Sequence, residues 1–240
     1  MTILLEGWPI EEAPLGDGWA SVAALATDRF DMAEEYFAAA VASEPGLDRR
    51  GQGAYFMGGV SFYFAFALAF AVLRDKPLPN LTPHSFGIQR DGNLLNYRIA
   101  PGSGTSPVRA GALIEEAHAP LIARVREATR LSDAAQWRII ADGIASAFLY
   151  AGQHLEREAQ GRKLGLEIVR DPTYRFFNGH TDYIEVEGKC FLKRGGCCRY
   201  YTADVGSFCA TCILRPADEH AGEIRRRYFE TEPELKAAEA

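Results

Sequence analysis

The chain has 240 residues, enough for one large domain or a domain with a small appended lobe. Its 26 basic and 32 acidic residues leave a formal charge of −6, which disfavours a nucleic-acid partner, and 48% hydrophobic with 24% charged residues is ordinary for a folded protein. Five cysteines are too few for a disulfide-stapled secreted scaffold.

Residues Met1 to Gly18 are acidic and rich in Pro and Gly, and they read as an extended lead-in. Met1 to Pro14 contains no basic residue and only a short apolar run, unlike a secretory signal. The expected compartment is therefore the reducing cytoplasm. Asp31 and Glu34 have the form of a capping box for a helix over Met32–Ser43, stopped by Glu44-Pro45-Gly46. Gly51 to Leu73 carries no charge and is long enough to cross a membrane. Gln52, Ser61, two tyrosines and four glycines dilute it, so a helix buried inside a globular core is expected. Association with the inner face of a membrane is the alternative. Lys76 to Asn80 is a Pro-rich connection.

Ser85 to Ala100 alternates around the turn dipeptide Asp91-Gly92 and predicts a β-hairpin. Pro101 to Pro107 is a glycine-rich loop that does not join a strand to a helix, so it is not a dinucleotide fingerprint. Ala110 to Arg130 predicts an amphipathic helix, with Pro120 kinking or dividing it. Ser132 or Asp133 caps a second helix, whose Trp137, Ile140, Ile144, Phe148, Ala151 and Leu155 form a regular apolar stripe. After about residue 165 the pattern turns irregular. Tyr183–Glu187 and Cys190–Lys193 predict a second hairpin across Gly188-Lys189, and Ala217–Glu230 predicts a helix with its charges ordered to suit the dipole. The last ten residues are expected to fray.

The densest chemistry lies between those last two elements. Cys197-Cys198 and Cys209-x-x-Cys212 put four thiols within one short loop. Four thiolates at one site suit a [2Fe–2S] cluster or a zinc ion. Adjacent ligands demand an irregular backbone, because neighbouring side chains of a regular strand point to opposite faces. Gly195 and Gly196 are expected to supply that freedom. The spacing matches neither common ferredoxin patterns nor common zinc fingers. Cys190, the fifth thiol, reads as a small buried residue of a strand.

The Cys-Cys-x10-Cys-x2-Cys pattern, with Lys193-Arg194-Gly-Gly before it and Arg199-Tyr200-Tyr201 after it, resembles the [2Fe–2S] motif of the FhuF-like ferric-siderophore reductases. Leu131 to Gln153, with its Trp-Arg-x-x-Ala-Asp segment, and Arg49 to Leu73 are similar to that family less specifically. The resemblance implies that Cys197, Cys198, Cys209 and Cys212 all ligate a [2Fe–2S] cluster. It also implies one-electron reduction of siderophore-bound Fe(III), with hydroxamate chelates favoured. Ile213 departs from the family, in which Pro often follows the last cysteine.

A [2Fe–2S] centre carries electrons singly, as Fe(III) reduction requires, and hard oxygen ligands hold Fe(III) far better than Fe(II). No flavin or nicotinamide fingerprint is visible, so a separate donor such as a ferredoxin or a reductase is expected. Lys193, Arg194, Arg199, Tyr200 and Arg215, with Lys189 nearby, are candidates for docking the chelate or the donor. Tyr201 is a further candidate to pack over the centre. His84, His118, His154, His180 and His220 form no ligand motif, and His180 is the candidate proton donor. The expected architecture is mainly helical α+β. A helical body over residues 1–182 would carry one β-hairpin and a chelate-sized groove. A C-terminal four-cysteine iron–sulfur lobe over 183–240 would carry the second hairpin. A structural four-cysteine zinc lobe on a binding domain, or an iron–sulfur sensor or carrier, are the alternatives.

Overall fold

A computed structural model describes residues 10–76, 81–91, 94–100 and 109–230. Most of the acidic lead-in, most of the Pro-rich connection, Gly92 of the expected turn, the Pro101–Pro107 loop and the last ten residues lie outside the described residues.

The lead-in contributes β1 (Ile10–Glu12), and β2 (Ala20–Ser21) follows it. Ser21 caps the short α1 (Val22–Leu25), accepting the Ala24 N–H at 3.1 Å. α2 (Phe30–Ser43) does not begin with the expected capping box. Arg29 holds the cap position without a side-chain bond, and Asp31 lies in the first turn, 3.5 Å from Arg29. Glu34 is drawn away to the Arg49 guanidinium at 2.6 Å, because an ion partner competes with the local cap.

α3 (Arg49–Leu73) starts from Asp48, whose carboxylate accepts the Gly51 N–H at 2.7 Å. Phe56, Phe64, Phe66 and Phe70 are fully buried, each contributing about 1.5–3 kcal/mol by leaving water. Buried residues make up 72% of the most apolar window, as expected of a central core helix. By length and composition alone it is also the one described helix apolar enough to cross a membrane.

β3 (Phe86–Asp91) and β4 (Leu94–Ile99) form the expected antiparallel pair, but not an isolated hairpin. β2 pairs antiparallel with β3, and β1 pairs parallel with β4 through Ile10↔Tyr97 and Glu12↔Ile99. The result is a four-stranded mixed sheet of order β1-β4-β3-β2, in which both hairpin edges find partners.

α4 (Ala110–Thr129) runs undivided past Pro120 and ends at Arg130 with φ 63°. α5 (Asp133–His154) is capped by Ser132, which accepts the Ala135 N–H at 3.3 Å. Its stripe of Trp137, Ile140, Ile144, Phe148 and Ala151 is buried. α6 (Glu158–Val169) was not anticipated, and its buried residues include Gly161 and Gly165. β5 (Asp182–Val186) and β6 (Lys189–Lys193) form a two-stranded hairpin. Glu187 (φ 51°) and Gly188 (φ 73°) make its turn, the positive pair that a type I′ turn requires. A 3₁₀ turn at Ala217–Glu219 leads into α7 (His220–Arg225), extended by a π turn over Arg226–Glu230.

Tyr183 and Leu192 of the hairpin pack on the main core, while Val186, Ala210 and Ile224 make a second, smaller one with Phe191 and Phe229. The hairpin therefore ties the cysteine loop to the helical body. The protein is mainly helical with two small sheets, as expected in outline.

Candidate metal centre

The chain leaves β6 through Arg194 and turns at Gly195-Gly196 beneath α5. The pivot is Asp142, a carboxylate only 2% exposed on the buried face of α5. It accepts the Gly195 N–H at 2.8 Å, the Gly196 N–H at 3.0 Å and the Thr181 hydroxyl at 2.8 Å. Arg194 Nε lies 3.5 Å away as counter-ion. Burial pushes the Asp142 carboxyl upward against the pull of Arg194 and these donors. Burial also works against the Arg194 guanidinium, but Asp142 and the Cys198 and Cys209 sulfurs outweigh it and hold Arg194 charged.

Gly195 and Gly196, expected to supply backbone freedom, do not take positive φ. They are needed for close approach. A Cβ on Gly195 would stand 2.4 Å from Asn178 Nδ2 and 2.7 Å from the Thr181 nitrogen, and one on Gly196 would stand 3.0 Å from the Arg138 carbonyl. The irregular residue is Arg199 instead, left-handed at φ 62° and immediately after the cysteine pair.

Arg199 also fastens the loop to the start of α3. Its Nε lies 3.0 and 3.1 Å from the two Asp48 oxygens, with a second close contact from Nη2. The Asp48 N–H donates to Thr202 Oγ1 at 3.1 Å, and the Asp204 N–H to the Pro45 carbonyl at 2.7 Å. Hydrogen bonding from Arg199 holds the Asp48 carboxyl below its ordinary range.

Cys198 and Cys209 are in hydrogen-bond contact, and the other two thiols lie close enough to interact with them electrostatically. Cys197 feels Cys198 and Cys212, while Cys209 feels Cys198 and Cys212. The Cys209 thiol, donating toward Cys198, is the main influence drawing Cys198 down, helped by Arg194 and the Tyr200 N–H. The same contact, with burial, pushes Cys209 up, and burial raises Cys197. Among the described residues no three His, Cys, Asp or Glu side chains already enclose a common metal position. The donor set nevertheless suits a thiophilic centre: four free sulfurs, no carboxylate among them, and a guanidinium to offset anionic charge. Cys190 stands apart on β6, buried and pushed up to about 11 by desolvation.

Of the candidate docking residues, Arg194 and Arg199 are engaged by Asp142 and Asp48. Arg215 pairs with Glu219 at 3.2 Å and Glu223 at 3.8 Å. Lys193 and Tyr200 are half-buried. Tyr201 packs edge-on to Phe208, with ring centroids 5.4 Å apart. His180 is exposed and its N–H donates to Asn178 Oδ1. His220 is the histidine that touches the loop: buried, it donates from Nε2 to the Cys212 carbonyl at 3.2 Å. Sequence reasoning missed Asp142, Asp48 and His220. Only Asp142 left a signal, as a lone carboxylate inside an apolar stripe.

Beside the loop lies a cleft of about 490 Å³ between α5, the β5–β6 hairpin and α7, with Arg194 and Cys209 in its wall. Tyr150 and Tyr228, each half exposed, stand at it. Burial and the nearby Tyr228 phenol push the Tyr150 hydroxyl pKa upward. Val205, Phe208, Ile213 and Leu214 are exposed around the cysteines. No protein-family description, curated protein or solved structure matches this chain.

Proposed function

We propose that this chain is an iron–sulfur oxidoreductase that reduces Fe(III) held in a siderophore, with Cys197, Cys198, Cys209 and Cys212 holding a [2Fe–2S] cluster. The observation that carries the proposal is four interacting cysteines on one loop, whose first pair is held by Asp142 on one side and by Asp48, through Arg199, on the other. The similarity of the motif to FhuF-like reductases supports the choice of cluster and substrate. Such a centre supplies electrons singly, the stoichiometry of taking Fe(III) to Fe(II).

The chain's own residues have three tasks. Asp142 and Arg199 position the Cys197-Cys198 pair from its two sides, while Thr211, donating to the Leu192 carbonyl at 2.7 Å, and His220, donating to the Cys212 carbonyl, position the second pair. Arg194, half-buried and cationic beside Cys198 and Cys209, offsets negative charge there and so favours the reduced state. The cleft against Cys209 offers room for a chelate. Fe(II) binds hard oxygen donors weakly, so the product is released from an intact chelator. The electron comes from a separate donor such as a ferredoxin or a reductase. The proposed setting is the cytoplasm, with attachment to the inner face of the membrane as its variant.

Stopped-flow mixing of the reduced protein with a ferric trihydroxamate under anaerobic conditions tests the proposal. The expected result is rapid reoxidation of the protein with one Fe(II) released per electron. Slow transfer, indifferent to the chelate offered, would instead mark a sensor or carrier.

A further inference from the structure

We propose that the cleft between α5, the β5–β6 hairpin and α7 binds the ferric chelate, with Tyr150 and Tyr228 gripping an uncharged complex against Cys209. This rests on the reductase proposal and adds the place where the chelate sits and the side chains that hold it. The cleft's volume, about 490 Å³, is that of a small-molecule site. Of the four proposed ligand cysteines, Cys209 lines it, which places an occupant next to a ligand residue of the centre. Electron transfer to a chelate seated there needs no loop to open.

The charge of the lining selects the complex. The Arg194 charge is shared between Asp142 and the Cys198 and Cys209 sulfurs, and Glu158 lies 3.7 Å from Arg162. That leaves Lys189, whose ammonium sits 5.2 Å from the Phe229 ring centre. A site with so little net charge suits a tris-hydroxamate of Fe(III), in which three monoanionic arms cancel the trication. A tris-catecholate keeps three negative charges and demands a basic pocket. The two tyrosines add flat apolar faces with hydroxyls that can donate to chelate oxygens. Tyr150 is itself braced edge-on by Phe62 at 5.9 Å, and Tyr228 packs against the tilted Phe191 ring at 5.1 Å.

The probe is the gallium(III) complex of a trihydroxamate, which has the charge of the ferric complex but is not reduced. It is titrated into the intact protein by anaerobic calorimetry, with thermal melts checking that every variant folds. Tyr150→Ala and Tyr228→Ala should each raise Kd about tenfold or more. Phe177→Ala, which removes a half-exposed ring that does not line the cleft, should leave it unchanged. A gallium tris-catecholate should bind at least about tenfold more weakly than the trihydroxamate. Unchanged affinity in both tyrosine variants, tighter binding of the catecholate, or no binding by the unmodified protein overturns the assignment. Iron and sulfide content is measured on the same samples. A protein that lacks a cluster, yet loses chelate affinity on tyrosine substitution, keeps the cleft and loses the reductase role.

Discussion

Asp142 Oδ1 accepts the Gly195 backbone N–H at 2.8 Å, joining positions 53 residues apart, and with Gly196 it fixes the strand exit from which the first cysteine pair projects. A carboxylate this buried is retained only where its partners are complete. Asp142→Ala would strand two amide donors, the Thr181 hydroxyl and the Arg194 charge. The expected cost is about 3–5 kcal/mol in urea unfolding, with loss of bound metal. Asp142→Asn keeps the size and one acceptor, and should recover part of both.

The Arg199–Asp48 contact makes stability depend on pH. Asp48 is lowered from its ordinary 3.8, chiefly by Arg199, and Glu223 is lowered from 4.5 to about 2, chiefly by Arg226. Folded-state values below the unfolded ones mean that this stability is complete above about pH 4.5 and lost as pH falls toward 2. Melting temperature measured from pH 6 to 2 should fall across that window. In Asp48→Asn and Glu223→Gln the fall should be shallower, from a lower starting value at pH 6.

Gly195→Ala should cost about 1–3 kcal/mol, because its Cβ would meet the Thr181 nitrogen at 2.7 Å, an atom that cannot move aside. Gly179→Ala, where nothing lies within 4 Å, should be neutral in the same thermal unfolding series.

Cys190 should behave unlike the other four thiols. Burial pushes it up to about 11, so at pH 8 it should alkylate slowly in the folded protein, read by peptide mass spectrometry. Cys190→Ala should keep the full metal content.

Much of this architecture is legible in local pattern. The stripe from Trp137 to Ala151, the uncharged run of α3 and the Gly188 turn each carry their period or turn signal within one element. The four thiols are legible for the same reason. What escapes is pairing between distant segments. β1 lies in an acidic lead-in and becomes a strand only because β4 offers an edge. α6 carries glycines at two of its three buried positions, which blunts its apolar stripe. Asp48 and Arg199 are 151 residues apart, and neither announces the other. Gly195 and Gly196 suggest turn freedom, but their role in avoiding α5 and Thr181 appears only once those elements are packed against them.

Anaerobic absorption and EPR of the as-isolated protein, paired with iron, sulfide and zinc counts, test the central claim most directly. The account predicts a red-brown protein with about two irons and two sulfides per chain, an EPR signal that appears on one-electron reduction, and loss of both in Cys209→Ser. A colourless protein holding one zinc, or a cluster that survives serine at any of the four positions with spectrum and turnover intact, would contradict it.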